Sequence, residues 1–161
     1  MSATGGQMQN VLVVIPAGSE PQRAIGAAIE LARQRGGNLI ALIVLDPRSA
    51  TRAARTLSES GFMSEEVGTQ VTATIEHEYR SDAATLLRAV AERAKRDGIV
   101  VTPLIEEGDA SEICRRVIRA HDVGAAVLVA EKRSWLTRFL SHGAVQLPAL
   151  AGCEIKVMEE D

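Results

Sequence analysis

The sequence predicts one α/β domain built on a five-stranded parallel sheet of order 3-2-1-4-5, with helices on both faces. Short continuous apolar runs alternate along the chain with segments of helical periodicity. Continuous runs are typical of strands covered on both faces, and parallel neighbours need a crossover connection, usually a helix. A proline inside the third run, and the alternation of apolar with polar residues in the fifth, place these two strands at the edges.

Composition and charge narrow the class of protein further. The 161 residues suit one domain, expected over 10–161 behind a disordered tail at 1–9. Aromatic residues make up only 2%, so the core must consist of Val, Ile, Leu and Ala. A net charge of −3 gives no general attraction to nucleic acid or anionic membrane. The sequence shows neither a secretory signal nor a stretch of ~20 apolar residues for a membrane span, so we expect a cytoplasmic protein.

The first βαβ unit has the clearest pattern. A β-branched run over 11–15 predicts the first strand. Ser19 is the expected N-cap of the following helix, with Gln22 three residues later as its capping-box partner. An apolar stripe at helical spacing continues to about Arg35, where two glycines end the helix. The second strand is expected over 39–45.

A long helix is predicted between the second and third strands. The stretch 46–63 has no strong pattern and holds either a short helix over 50–57 or a plain connection. Ser64 is then the expected cap, and the helix ends at Gly98. One apolar face runs along it, at Val67, Val71, Ile75, Tyr79, Ala83, Leu86, Val90 and Ala94.

The second half of the chain supplies three more strands. The third is expected over 99–105 and contains Pro103. Asp109 caps the next helix, with Glu112 three residues later, and the fourth strand covers 125–130. After a basic loop and a helix to about residue 150, the fifth strand alternates Cys153, Ile155 and Val157 with Glu154, Lys156 and Met158.

The fifth strand also predicts the oligomeric state. Its exposed edge, carrying Ile155 and Val157, invites pairing with a second copy of the chain. Twofold self-pairing is the commonest oligomer symmetry, so a homodimer through this edge is expected.

The predicted strand order fixes where a ligand would bind. The winding reverses between strands one and four, and α/β sheets bind ligands outside the carboxyl ends of such strands. In this chain that crevice is lined by 16–19, including Ala17 and Gly18, and by 130–144.

Three stretches carry a family resemblance: the opening at 11–21, Glu-Gly-Asp-Ala-Ser-Glu-Ile at 107–113, and the strand, loop and helix at 124–145. In this order and spacing they resemble the universal stress protein family, over about residues 10 to 159. The resemblance implies a Rossmann-like fold of the adenine nucleotide alpha hydrolase type, commonly as a homodimer. It also implies one of two groups, members that bind ATP or AMP and members that do not.

ATP-binding members carry an Asp after the first strand. After the fourth they carry Gly, two residues, Gly, nine residues, Gly, and then Ser or Thr. The matching positions here are Ala17, Ala130, Arg133, Gly143 and Ala144, so only Gly143 is kept. Alanine and arginine restrict the backbone that should approach phosphate, and a carboxylate and a hydroxyl are lost. The resemblance therefore implies a degenerate crevice of the non-ATP-binding type, with no cofactor.

The basic loop at 131–138 has more than one interpretation. Lys132, Arg133 and Arg138 could form a replacement anion site, but Glu131 among them favours a solvated loop. Trp135 either anchors a protein partner or packs the loop onto the domain. We predict that this loop is the surface for a protein partner.

Isolated titratable residues point to no enzyme. His77 and His121 fall on predicted helices without a second ligand at metal spacing, and Glu106–Glu107 suits a solvated turn better than a cation site. Cys114 and Cys153 suit reduced core thiols. With no base–nucleophile pair and no carboxylate dyad, we expect neither catalysis nor a bound metal.

Two hypotheses for the function follow. The first is a stress-response domain with a degenerate nucleotide site that acts as a homodimer through protein contacts. The alternative is a small-molecule sensor that binds ATP, AMP or another anion in the crevice at the ends of strands one and four.

Overall fold

The computed structural model describes residues 9–47, 65–130 and 153–159. The predicted short helix over 50–57, the cap at Ser64, the loop at 131–138 and the helix to about residue 150 lie outside these ranges. The described elements are β1 (Asn10–Pro16), α1 (Gln22–Arg35), β2 (Leu39–Leu45), α2 (Glu65–Lys95), β3 (Val101–Glu107), α3 (Ala110–Ala120), β4 (Val123–Ala130) and β5 (Glu154–Glu159).

The five strands form one parallel sheet of order β3-β2-β1-β4-β5, which confirms the predicted topology. Central β1 pairs Val13 with Ala41 of β2 on one side and with Val127 of β4 on the other. Every residue of β2 is buried, as is β1 from Val11 onward. Such runs are continuous in sequence because both faces of these strands are covered.

The two acidic residues that end β3 show that helices cover opposite faces of the sheet. Successive side chains of a strand point to opposite faces. Glu106 pairs with Arg116 of α3 at 2.7 Å, whereas Glu107 pairs with Arg80 of α2. Thus α2 and α3 lie on different faces, as predicted.

Two of the predicted helix-end residues act as the sequence indicated. Asp109 caps α3, since its carboxylate accepts the backbone N–H of Glu112 at 3.1 Å. Gly36 ends α1 in the left-handed conformation, with φ of 65°. Ser19, by contrast, does not cap α1.

Helix α2 is much longer than the strand it accompanies. Its 31 residues span about 46 Å at 1.5 Å per residue, against about 23 Å for a seven-residue strand. Among the side chains of α2 that the structure describes, the buried ones all lie in the second half: Ala83, Leu86, Leu87, Val90 and Ala94. Val71, Ile75 and Tyr79 on the same face are only half-buried. The first half of α2 therefore extends past the carboxyl edge of the sheet.

The edge strands differ in detail from their predictions. The third strand, expected at 99–105, covers Val101–Glu107. Ile99 donates its N–H to Ala94 at 3.0 Å, which ties this residue to the end of α2 and delays the strand. Pro103 lies on the edge strand, as predicted.

In β5 the predicted alternation does not hold as written. Ile155 and Met158 pack against the core, whereas Val157 is 43% exposed. At an edge both faces are only partly covered, so Met158 finds apolar contacts although it shares a face with Glu154 and Lys156.

Candidate functional site

The crevice lies at the carboxyl edge of the sheet, where the strand order reverses between β1 and β4. Val14 of β1 pairs with Leu128 of β4, so Pro16 and Ala130 end the two strands side by side. This places Ala17 and Gly18 next to the end of β4. The other predicted crevice residues, Arg133, Gly143 and Ala144, lie outside the described ranges, so their part in the site stays a prediction.

Three hydrogen-bond donors of the turn after β1 are engaged within the protein. Ala17 is half-buried and donates its N–H to the Val44 carbonyl at 3.1 Å. Ser19 donates both its N–H and its hydroxyl to the Pro16 carbonyl, at 3.2 and 2.7 Å. These groups are therefore already engaged when a ligand arrives.

The same hydrogen bonds explain why the prediction for Ser19 is wrong. Helix α1 begins at Gln22, with Pro21 at the N-cap position and no side-chain capping bond. The Ser19 hydroxyl is turned back to Pro16 and closes the turn instead. Gln22 accepts a hydrogen bond from Arg93 of α2 at 3.3 Å, so its side chain serves helix packing.

Tyr79 of α2 covers this turn. A methyl group built on Gly18 would come within 2.9 Å of Tyr79 Cε1 and 3.5 Å of its Cδ1 and Cζ. Gly18 has φ of 86°, a conformation that favours glycine, and its lack of a side chain leaves room for the ring. The periodicity of α2 indicated Tyr79 as one residue of an apolar stripe, with no sign that it reaches the crevice.

Asp46 is a second residue near this edge of the sheet for which the sequence pattern indicated no role. It follows β2 directly, is only 7% exposed, and interacts with other groups of the protein. It fell in the stretch without a pattern. The β1 turn itself carries no carboxylate at Ala17, and Glu20 beyond it is exposed.

The acidic pair Glu106–Glu107 forms ion pairs instead of the predicted solvated turn. Both residues belong to β3, and their partners are Arg116 and Arg80. In the described part of the chain, no group of three His, Cys, Asp or Glu side chains is arranged to hold a metal ion.

The two cysteines are buried, and the two described histidines lie on or beside helices. Burial, and to a smaller extent the Asp109 carboxylate, raise the pKa of the Cys114 thiol to about 12, whereas Arg115 lowers it slightly. Burial also raises the pKa of Cys153. Both cysteines are free and buried, so they stay protonated near neutral pH. His77 lies exposed on α2, whereas His121 lies just after α3, not within it.

An open groove of about 860 Å³ runs beside α3. Three arginines line it together with Asp109 and Glu112, and one of them, Arg116, is paired with Glu106. The charges nearly cancel, so the groove does not form a strong anion site.

The strand on which the predicted homodimer depends, β5, lies at one edge of the sheet. This strand is hydrogen-bonded to β4 on one side and is the last strand of the sheet on the other. Val157 is exposed there and Ile155 is half-buried. The partner loop, with Lys132, Arg133, Trp135 and Arg138, lies outside the described residues and stays a prediction. Among the described helices, none combines the length and apolar character that a bilayer crossing requires.

Comparison with known proteins gives one family. The model of the universal stress protein family matches residues 8–158. A solved structure of a universal stress protein family member from Burkholderia pseudomallei is 20% identical, covers 94% of this chain and 96% of its own, and has a TM-score of 0.63. Among curated proteins, none matches the chain.

Two further solved structures share the fold. The universal stress protein UspA from Lactobacillus plantarum is 16% identical, with 97% and 99% of the two chains covered and a TM-score of 0.61. The universal stress protein from Archaeoglobus fulgidus in complex with dAMP is 17% identical, with 94% and 97% covered and a TM-score of 0.55. At such identities the likeness shows the fold alone.

Proposed function

Because the chain belongs to the universal stress protein family, we propose that it is a cytoplasmic stress-response domain whose crevice no longer binds ATP and which acts as a homodimer through protein contacts. The loop at 131–138 is the surface that we propose for other proteins. No catalytic step is part of this proposal.

The observation that carries the proposal is the state of the turn after β1. ATP-binding members of the family carry an aspartate at the position that matches Ala17. In this chain the half-buried methyl group of Ala17 packs against the core instead. The N–H groups of Ala17 and Ser19 and the Ser19 hydroxyl are bonded within the protein. Tyr79 lies over Gly18. A nucleotide would meet an apolar surface with few available donors on this side.

The alternative is a nucleotide sensor. The observation that favours it is the Archaeoglobus fulgidus relative in complex with dAMP, a ligand that binds a protein of the same fold. The two proposals differ in what the crevice of this chain holds, not in the fold.

Calorimetry separates these two functions. We expect the full chain to bind neither Mg-ATP nor AMP at nucleotide concentrations up to about 1 mM. A dissociation constant of about 1 mM corresponds to a binding free energy near −4 kcal/mol. Each charged or buried hydrogen bond that the crevice has lost weakens binding by ~1–3 kcal/mol. A dissociation constant in the micromolar range for either nucleotide would contradict the proposal and favour the sensor.

The homodimer has its own test at the β5 edge. Val157 and Val100 are the two large apolar residues most exposed in the described part of the chain, at 43% and 64%. We expect Val157→Asp to shift the protein from dimer to monomer in light scattering, because a buried carboxylate without a partner would disfavour the pairing. Val100→Asp, beside the opposite edge strand, should leave the dimer intact. A monomeric wild type, or a dimer unaffected by Val157→Asp, would contradict this interface.

A further inference from the structure

We propose that Tyr79 is an internal occupant of the crevice, whose ring takes the place over the β1 turn that a planar ligand base would need. This inference rests on the proposed function, because it names the residue that closes the site to nucleotides. The ring would block nucleotide binding sterically, in addition to the loss of hydrogen-bonding groups in the crevice.

The length of α2 brings Tyr79 to the crevice. Parallel crossovers begin at the carboxyl edge of the sheet and return to the amino edge. The buried part of α2 starts at Ala83. Arg80, which follows Tyr79 in the chain, pairs with Glu107, the last residue of β3. Tyr79 is therefore at the level of the carboxyl edge, where the helix begins to project beyond the sheet.

The contact with Gly18 shows what the ring occupies. An added methyl group on Gly18 would approach Tyr79 Cε1 to 2.9 Å, closer than real contacts of this kind. The ring edge thus lies directly against the exposed turn. Ala17 beside it packs against the core, so the ring is the part of this surface that can move without disturbing the sheet. A base stacked on the turn would have to displace it.

The ion pair next to Tyr79 on α2 holds this part of the helix only weakly. The Arg80–Glu107 pair is exposed on both sides, at 53% and 43% of the side chains, and such pairs are weak. The firm anchor of α2 is its buried second half, including Val90 and Ala94. We therefore infer that Tyr79 excludes ligands by occupying the turn, and that the helix does not depend on it.

The packing can be observed directly because the chain has a single tyrosine. Protein labelled with 3-fluorotyrosine should give one ¹⁹F resonance. Gly18→Ala should shift it, since the new methyl group meets the ring. Gly98→Ala is the matched control, because Gly98 also has positive φ, 71°, but its added methyl group meets nothing within 4 Å. A resonance equally unaffected by both changes would overturn the contact.

Whether Tyr79 excludes nucleotides is tested by measuring AMP affinity in a variant that carries the family's nucleotide-binding residues again. We call the protein with Ala17→Asp, Ala130→Gly, Arg133→Gly and Ala144→Ser the restored variant. Within it, Tyr79→Ala should bind AMP about tenfold more tightly than Tyr79→Phe, which keeps the ring. Equal affinities, or weaker binding by the alanine variant, would overturn the inference.

Two controls keep the outcomes distinct. Melting temperatures of the Tyr79→Ala and Tyr79→Phe proteins should agree within a few degrees, which excludes a merely structural role. Micromolar binding of AMP by the wild type would instead contradict the proposed function, whatever the Tyr79 variants do.

Discussion

Returning Asp, Gly, Gly and Ser to positions 17, 130, 133 and 144 is expected to strengthen ATP binding at least about tenfold over a wild type that binds no better than about 1 mM. Tenfold corresponds to about 1.4 kcal/mol, which is about what one regained charged or buried hydrogen bond contributes, at ~1–3 kcal/mol. The expected gain is small because Tyr79 still covers Gly18 in this variant. Isothermal calorimetry with Mg-ATP measures the gain.

The control separates the two sides of the crevice. Ala17→Asp alone should give only part of the gain, because the three other changes lie at the end of β4 and beyond it in the chain. An ATP affinity of the restored variant no better than that of the wild type, at unchanged melting temperature, would show that other residues closed the site. It would contradict the prediction that these four positions decide nucleotide binding.

The topology of the sheet was predictable because the burial of a strand determines which of its residues are apolar. β1 and β2 are covered on both faces, so their runs are apolar throughout. Pro103 cannot donate to a ladder, which indicated an edge strand for β3. Once both edges and the right-handed crossover rule are known, the order 3-2-1-4-5 is the natural arrangement.

The details of the site were less predictable because they depend on contacts between distant parts of the chain. Whether the Ser19 hydroxyl caps a helix or bonds to Pro16 depends on where the turn ends, not on the residue type. Tyr79 reaches Gly18 only because α2 extends past the sheet. The sequence periodicity of neither segment predicts that contact. The ion-pair partners of Glu106 and Glu107 could not be predicted from sequence either.

The location of Ala17 directly after the strand at which the sheet order reverses was predictable for a different reason. The end of a strand at a point where the sheet order reverses is defined by topology, and the topology was predicted. The chemistry at that position then follows from the residue type alone, since alanine offers neither charge nor side-chain hydrogen bond. The structure adds the hydrogen bond from the Ala17 N–H to Val44, which sequence alone does not reveal.

Leu42→Ala is expected to have the largest effect on stability, lowering the free energy of unfolding by about 2–5 kcal/mol. Leu42 lies in β2, is 0% exposed, and is surrounded by the core on a strand covered on both faces. Truncation removes buried apolar contacts and leaves a cavity that a rigid parallel sheet cannot close. Urea unfolding measures the loss, and the melting temperature should fall by about 5–15 °C for a domain of this size.

Leu104→Ala is the matched control, because Leu104 is the ladder partner of Leu42 on neighbouring β3. The same atoms are removed one strand away, but Leu104 is only half-buried on an edge strand. Its loss should be less than half as large, since solvent already reaches the site and no closed cavity forms. Equal losses would mean that β3 is covered as thoroughly as β2, which contradicts an open edge at Pro103. A smaller loss at Leu42 would place the centre of the core elsewhere than on β1 and β2.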